Sequence, residues 1–151
     1  MDIEIVPSVK YGNYKRFLSQ ARDFEGIIQR SESKVRKYIN LPDQVKVILR
    51  PIRDVLGTAA TYKVKSIPLY TVEIDVRQTL NEFYDTLLHE LVHIEQYFED
   101  RLKLRSELFY SIYEGRKIRL VSHKSDDYYN LPWEEEATER ATKLKRIIYY
   151  I

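Results

Sequence analysis

The stretch HELVHIEQYFE, His89 to Glu99, sets two histidines four residues apart with a glutamate directly after the first, in a chain that holds three histidines in all. On a helix, positions four apart lie one turn apart on a single face, so His89 and His93 can aim their rings at one ion. Glu90 sits about 100° around the helix from His89. That angle is too wide to share the ion easily, yet close enough to touch a water the ion has acidified. This is the H-E-x-x-H pattern, in which imidazoles hold Zn²⁺ and the glutamate serves as general base. Neutral imidazoles leave the ion's charge uncancelled, so the pKa of a bound water falls toward about 7. A carboxylate can then take the proton and deliver it to a leaving amine. A composition with three histidines yields this pattern by chance on the order of 0.004 times per chain. A solvated helix face carrying two unrelated histidines is therefore the weaker reading.

A hydrolytic zinc site usually keeps three protein ligands and one open position. The chain has no cysteine, so the third ligand has to be His, Asp or Glu. A metzincin continuation needs Gly at position 96 and His at 99. Gln96 and Glu99 stand there, which excludes that branch. Glu95 and Glu99 share the helix but are badly placed to reach the ion, and read as solvated helix charges. The distant candidates lie in YYNLPWEEEATERA, Tyr128 to Ala141, where Glu134 and Glu136 both flank an apolar stripe. Acids in a first helical turn also complement the macrodipole whatever the function, so spacing alone leaves both open. His123, in SHKSDDYY, is a ligand, a transition-state donor or a loop histidine, the last being favoured. Tyr128 or Tyr129 could donate to a developing oxyanion, with aromatic packing as the default. Trp133 reads as a core anchor and Gly57 as a turn residue.

The elements that must position these groups follow from periodicity. YKRFLSQARDFEGIIQR carries Tyr14, Phe17, Leu18, Ala21, Phe24, Ile27 and Ile28 at helical spacing, and a more polar stretch carries this helix, or a second one, to about Asn40 before a Leu41-Pro42-Asp43 turn. Val45, Val47 and Leu49 alternate as a strand that Pro51 ends or confines to an edge. Gly57 to Tyr62 reads as a turn and a short strand. Ile67 to Val76, IPLYTVEIDV, is the clearest strand, with Tyr70, Val72, Ile74 and Val76 on one face and Thr71, Glu73 and Asp75 on the other. Its edge could pair with an extended peptide, or its charges could protect a bare edge. Thr79-Leu80-Asn81-Glu82 is a capping box. It opens a helix whose core stripe is Leu80, Tyr84, Leu87, Leu91, Ile94 and Phe98, leaving the histidines on the polar edge with Glu82, Thr86 and Gln96. LFYSIYEGRKIRLV reads as a hairpin turning at Glu114-Gly115-Arg116, or as a helix ending at Gly115. Pro132 opens a last helix with Trp133, Ala137, Ala141, Leu144, Ile148 and Ile151 on its apolar face. The order makes an α+β domain.

Composition bounds the rest. A chain of 151 residues that is 44% hydrophobic and 32% charged is expected to fold as one ordered domain. A formal charge of +2 gives no reason for a specific nucleic-acid partner. No apolar run reaches the roughly 18 residues that span a bilayer, and no basic start followed by an apolar run marks a signal peptide. A cytoplasmic location without a membrane partner is expected. The 13 tyrosines and many Lys, Arg and Ile residues, beside no cysteine, point to a thermophilic source.

The pairing of HELVHIEQY with a later YYNLPWEEEA resembles zincin metallopeptidases of the gluzincin type. It is most similar to small metallopeptidases of phage and other viral genomes, in which HE-x-x-H-x-x-Q precedes a Tyr-rich PWE-x-EA segment. The similarity runs from about Gly57 to Ala141. It implies a single zincin-like domain over residues 1–151, with an N-terminal helix, a small antiparallel or mixed sheet, an active-site helix and a C-terminal glutamate helix. It implies Zn²⁺ as cofactor, a peptide or protein as substrate, and a host cytoplasm or virion as the setting if the source is viral. The family's Glu-x-x-Ala-Asp/Asn pattern falls on Glu134 to Thr138 and makes Glu134 the third ligand, with Glu136 as fallback. Thr138 stands where an acid or amide is usual, so the hydrogen bond that orients a ligand histidine must come from its hydroxyl or from another residue. Two other readings remain. One is a zinc-binding but non-catalytic structural or interaction protein, with His123 as a fourth ligand. The other is a metal-free helical interaction domain.

Overall fold

Val45, Val47 and Leu49 are buried at the heart of a mixed sheet. The computed structural model describes residues 1–6, 14–51, 59–63, 69–105, 110–119 and 130–150. Gly57, the first residues of the Ile67–Val76 strand, His123, Tyr128, Tyr129 and Ile151 lie outside them. The sheet contains β1 (Asp2–Ile5), β2 (Val45–Arg50), β3 (Ala59–Lys63) and β4 (Tyr70–Asp75), in the order β1-β2-β4-β3. β1 and β4 flank β2 in parallel, and β3 runs antiparallel to β4. The long helix α1 (Tyr14–Val35) lies between β1 and β2 in the chain. It buries Ala21, Phe24, Ile28 and Val35. It stops earlier than the expected Asn40, in a turn where the Arg36 guanidinium donates to the carbonyls of Leu41, Pro42 and Asp43.

β4 corrects an expectation. It lies between β2 and β3, hydrogen-bonded on both sides, so it offers no edge to a peptide. Among the described residues the outer edge on that side is β3. The polar face of β4 is also largely covered: Thr71 and Asp75 are buried. Asp75 accepts from the backbone and guanidinium of Arg77, and Glu73 from Arg50. A period of two tells which side chains share a face, but not which backbone edges are paired. A strand, β1, also precedes the helix expected to be N-terminal, because Ile3 and Ile5 find a partner in β2.

Helix α2 (Leu80–Phe98) begins where the capping box puts it. Thr79 Oγ1 accepts from the Glu82 amide at 3.2 Å, and Glu82 Oε2 accepts from the Thr79 amide at 2.9 Å. Leu80 and Phe98, expected in its core stripe, are exposed at 48% and 41%. The buried set is Phe83, Leu87, Leu88, Leu91, Val92 and Ile94, and every residue from Glu90 to Gln96 is buried. One stripe describes a helix packed on one side. α2 is covered on two, by the sheet and by α3 (Pro132–Tyr149). Its N-terminal half is tied to α1 by Phe83, stacked on Phe24 with centroids 3.9 Å apart.

The contacts of α3 on α2 run in opposite chain directions, Trp133 against Gln96, Lys145 against Asp85 and Tyr149 against Tyr84, so the two helices are antiparallel. A second sheet holds β5 (Leu102–Arg105), β6 (Tyr110–Tyr113) and β7 (Arg116–Arg119), all antiparallel. β6 and β7 form the expected hairpin. Its turn residues Glu114 and Gly115 both have positive φ, 50° and 79°, the backbone of a two-residue type I′ connection. β5, LKLR, alternates apolar and charged residues, but over only four positions, and it was not expected from the sequence. The whole is a mixed α+β arrangement of three helices and two small sheets among the described residues. No helix among them is long and apolar enough to cross a membrane.

Candidate metal centre

Four elements of local chemistry bring the polar cluster together. The capped helix α2 sets His89 and His93 on one face, one turn apart. Pro132 presets the first turn of α3, where Leu131 as N-cap provides no side-chain hydrogen bond. A carboxylate in that turn sits at the positive end of the helix dipole. Trp133, buried beside it, fixes the register by accepting from Gln96 Nε2 through its carbonyl at 3.0 Å.

Glu134 thereby reaches both imidazoles. Its Oε2 is 2.9 Å from His89 Nε2, its Oε1 is 3.1 Å from His93 Nε2, and the two Nε2 atoms are 3.0 Å apart. Ligand atoms of a tetrahedral ion with bonds of about 2.0–2.1 Å stand about 3.3 Å from one another. The observed triangle is only slightly tighter. His89, Glu90 and His93 also place ligand atoms within 4.8 Å of one another, a grouping able to hold a metal ion. Of Glu134 and Glu136, Glu134 is the one in direct contact with both rings. Glu90, nearly enclosed, lies alongside. His89 is the most open member, with its side chain 22% exposed against 8% for His93 and 5% for Glu134.

Charge in the cluster is balanced between His93 and Glu134. Burial presses His93 toward neutrality, but the hydrogen bond and charge of Glu134 outweigh it, and its pKa rises from 6.5 to about 9. Burial likewise favours neutral Glu134, yet hydrogen bonds from the two histidines win and hold it down at about 2. Two nitrogens and two carboxylate oxygens crowd one small volume. Bare lone pairs there repel, so protons or a metal ion must lie between them.

The remaining candidates separate clearly. Glu136 faces away from the imidazoles into a different set of partners. Arg101 donates to both its oxygens at 2.8 and 2.9 Å, Gln96 donates at 3.2 Å, and Tyr113 adds a short hydrogen bond. Thr138 Oγ1 lies 3.4 Å from His89 Nδ1, so a hydroxyl stands where an acid or amide was the usual partner. Glu95 corrects the expectation of a solvated charge: it is 5% exposed and is bound by Arg140, by Arg101 and by the Asn40 amide. Arg101 and Arg140 together join Glu95 of α2 to Glu136 of α3. Helical spacing placed Glu95 on the outside because it cannot see arginines arriving from other elements. His123, Tyr128 and Tyr129 lie outside the described residues.

One residue at the site was missed in its role. Gln96 is 0% exposed, and its Oε1 lies 2.8 Å from His93 Nδ1. Its position three after His93, on the same helix face, was the available signal. Two cavities of about 580 and 680 Å³ lie elsewhere, between α1 and the start of α2, and share no residue with the cluster. No protein-family profile, curated protein or solved structure matches the chain.

Proposed function

We propose that the chain is a zinc-dependent metallopeptidase in which His89, His93 and Glu134 hold Zn²⁺ and Glu90 is the general base. The observation that carries this reading is the mutual spacing of 2.9–3.1 Å among two imidazole nitrogens and one carboxylate. Two neutral imidazoles and one carboxylate are a common donor set for catalytic zinc, with a position left for water or substrate. Bound there, Zn²⁺ supplies Lewis acidity, acidifying water and polarising a carbonyl oxygen. Glu90 takes a proton from the attacking water and passes it to the amine nitrogen as the carbon–nitrogen bond breaks. Glu90 sits one residue beyond His89 and has a carboxylate oxygen within 4.8 Å of a ring nitrogen of each histidine, beside the cluster. His89, the most exposed ligand, marks the side from which substrate approaches. Strand β3 packs near α2 and is the outermost strand on that side among the described residues, a place where an extended peptide backbone adds as a further strand.

The test is peptide hydrolysis by zinc-loaded protein beside Glu90→Gln. The variant is expected to keep stoichiometric zinc and to lose turnover by at least about 100-fold, the lower end of what a general base contributes. Equal cleavage by both proteins removes Glu90 from the mechanism. Tightly bound zinc without cleavage of any peptide library member returns the site to the structural, non-catalytic reading.

A further inference from the structure

Glu136 stands two residues from Glu134 and does not join the imidazole cluster. Its oxygens are occupied by Arg101, Tyr113 and Gln96. Gln96 in turn has its amide nitrogen directed at Glu136 and at the Trp133 carbonyl, 3.0 Å away. Both are acceptors only, so the amide orientation is determined and Oε1 is the atom that faces His93. A carbonyl oxygen 2.8 Å from Nδ1 requires the proton on Nδ1. In the neutral ring that a metal ion needs, the lone pair of His93 is therefore left on Nε2, the atom that faces Glu134 and His89.

We infer that Gln96 is a positioning residue for His93, locked by the Glu136–Arg101 ion pair, and that this chain links the ligand set to the second sheet. The inference rests on the metal-centre reading above. Three features go together in it. Gln96 is completely buried, so no water can replace its acceptor. Its anchor Glu136 is held by Arg101, just before β5, and by Tyr113 of β6. The same Gln96 amide fixes the first turn of α3, which carries Glu134. One side chain thus sets the tautomer of one ligand and the placement of another. Its acceptor is an uncharged amide rather than the carboxylate often found behind a ligand histidine, so it orients the ring without adding negative charge behind it.

The experiment compares the wild type with Gln96→Met, Gln96→Glu and Arg101→Met. Zinc affinity is read by competition with a chelator, and the His93 tautomer by long-range ¹H–¹⁵N NMR. Wild type in both metal-free and zinc-loaded forms is expected to show a slowly exchanging proton on His93 Nδ1. Gln96→Met, which keeps length and loses the acceptor, is expected to lose that protected proton and to bind zinc about 10–100-fold more weakly. Gln96→Glu keeps an acceptor for Nδ1 but turns an oxygen toward Glu136 and the Trp133 carbonyl, so it is expected to keep the protected Nδ1 proton while recovering only part of the affinity. Arg101→Met touches no ligand and is expected to weaken zinc binding in the same direction by freeing Glu136 and Gln96. Unchanged zinc affinity and an unchanged Nδ1 proton in Gln96→Met overturn the inference. If Gln96→Met fails to fold, an Nδ1 proton that exchanges freely in the wild type overturns it just as well. Absence of zinc binding by the wild type overturns the metal reading instead, while the Nδ1 proton of the metal-free protein still decides the role of Gln96.

Discussion

At the scale of single residues, Glu134 and Glu136 show how two like side chains on one helical turn take different work from their neighbours. Glu134 meets two imidazoles and Glu136 meets a guanidinium. Glu134→Gln is expected to weaken zinc binding beyond the roughly 10–100-fold loss typical of an outer partner, with Glu136→Gln falling within that range. The reverse order in a chelator competition would reassign the third ligand. The metal-free cluster also carries a pH signature. His93 is raised from 6.5 to about 9, despite burial, by Glu134. Its stabilising contribution is present in full below about pH 6.5 and is lost as pH rises through 9. Glu134, held at about 2, contributes the same interaction above about pH 4.5 and loses it as pH falls through 2. Metal-free protein is therefore expected to be less stable at pH 9.5 than at pH 6, by up to about 3 kcal/mol. Thermal melts in chelator at the two values check this, and a flat profile would contradict the pairing of His93 with Glu134.

At the scale of elements, α2 has two ends with separate tasks. Its start is held by the Thr79 box and by Phe83 on Phe24, and its middle presents the ring cluster. Thr79→Ala is expected to cost about 1 kcal/mol. Phe83→Ala, at a position 0% exposed, is expected to cost about 3–5 kcal/mol. Both are measured by denaturant unfolding. The capping box, the Pro132 start and the Glu114-Gly115 turn were all legible because each depends on residues within four positions of one another. β1 and β5 were not legible. Each is four residues long, like β6 and β7, but has no tight turn of its own to mark it, so its place depends on the distant neighbour it pairs with.

At the scale of the whole molecule, the site spans distant parts of the chain: α2 gives the histidines, α3 the carboxylate, and the second sheet the anchors of Gln96 and Glu136. Zinc bound across that junction should stabilise the fold as a unit. At a free concentration about 100 times its Kd the gain is about 2.7 kcal/mol, or a rise in Tm on the order of 5–10 °C. The increment should be larger at pH 8 than at pH 6, because zinc needs His93 neutral and the metal-free form holds it protonated. Calorimetry with and without zinc at both values checks the sign. An increment that shrinks with rising pH would place the metal elsewhere.

By itself the sequence determined the helix that carries His89, Glu90 and His93, its starting residue, the opening of α3, and the pairing of two histidines on one face. These follow from backbone geometry over a few residues. Spacing left Glu134 and Glu136 equivalent, and which of them meets the imidazoles depends on the side chain that the antiparallel docking of α3 turns toward the rings and the one it turns toward Arg101. The burial of Glu95, the interior place of β4 and the orienting role of Gln96 were decided in the same way. Each is fixed by groups that arrive from elsewhere in the chain, and local periodicity carries no information about arrivals.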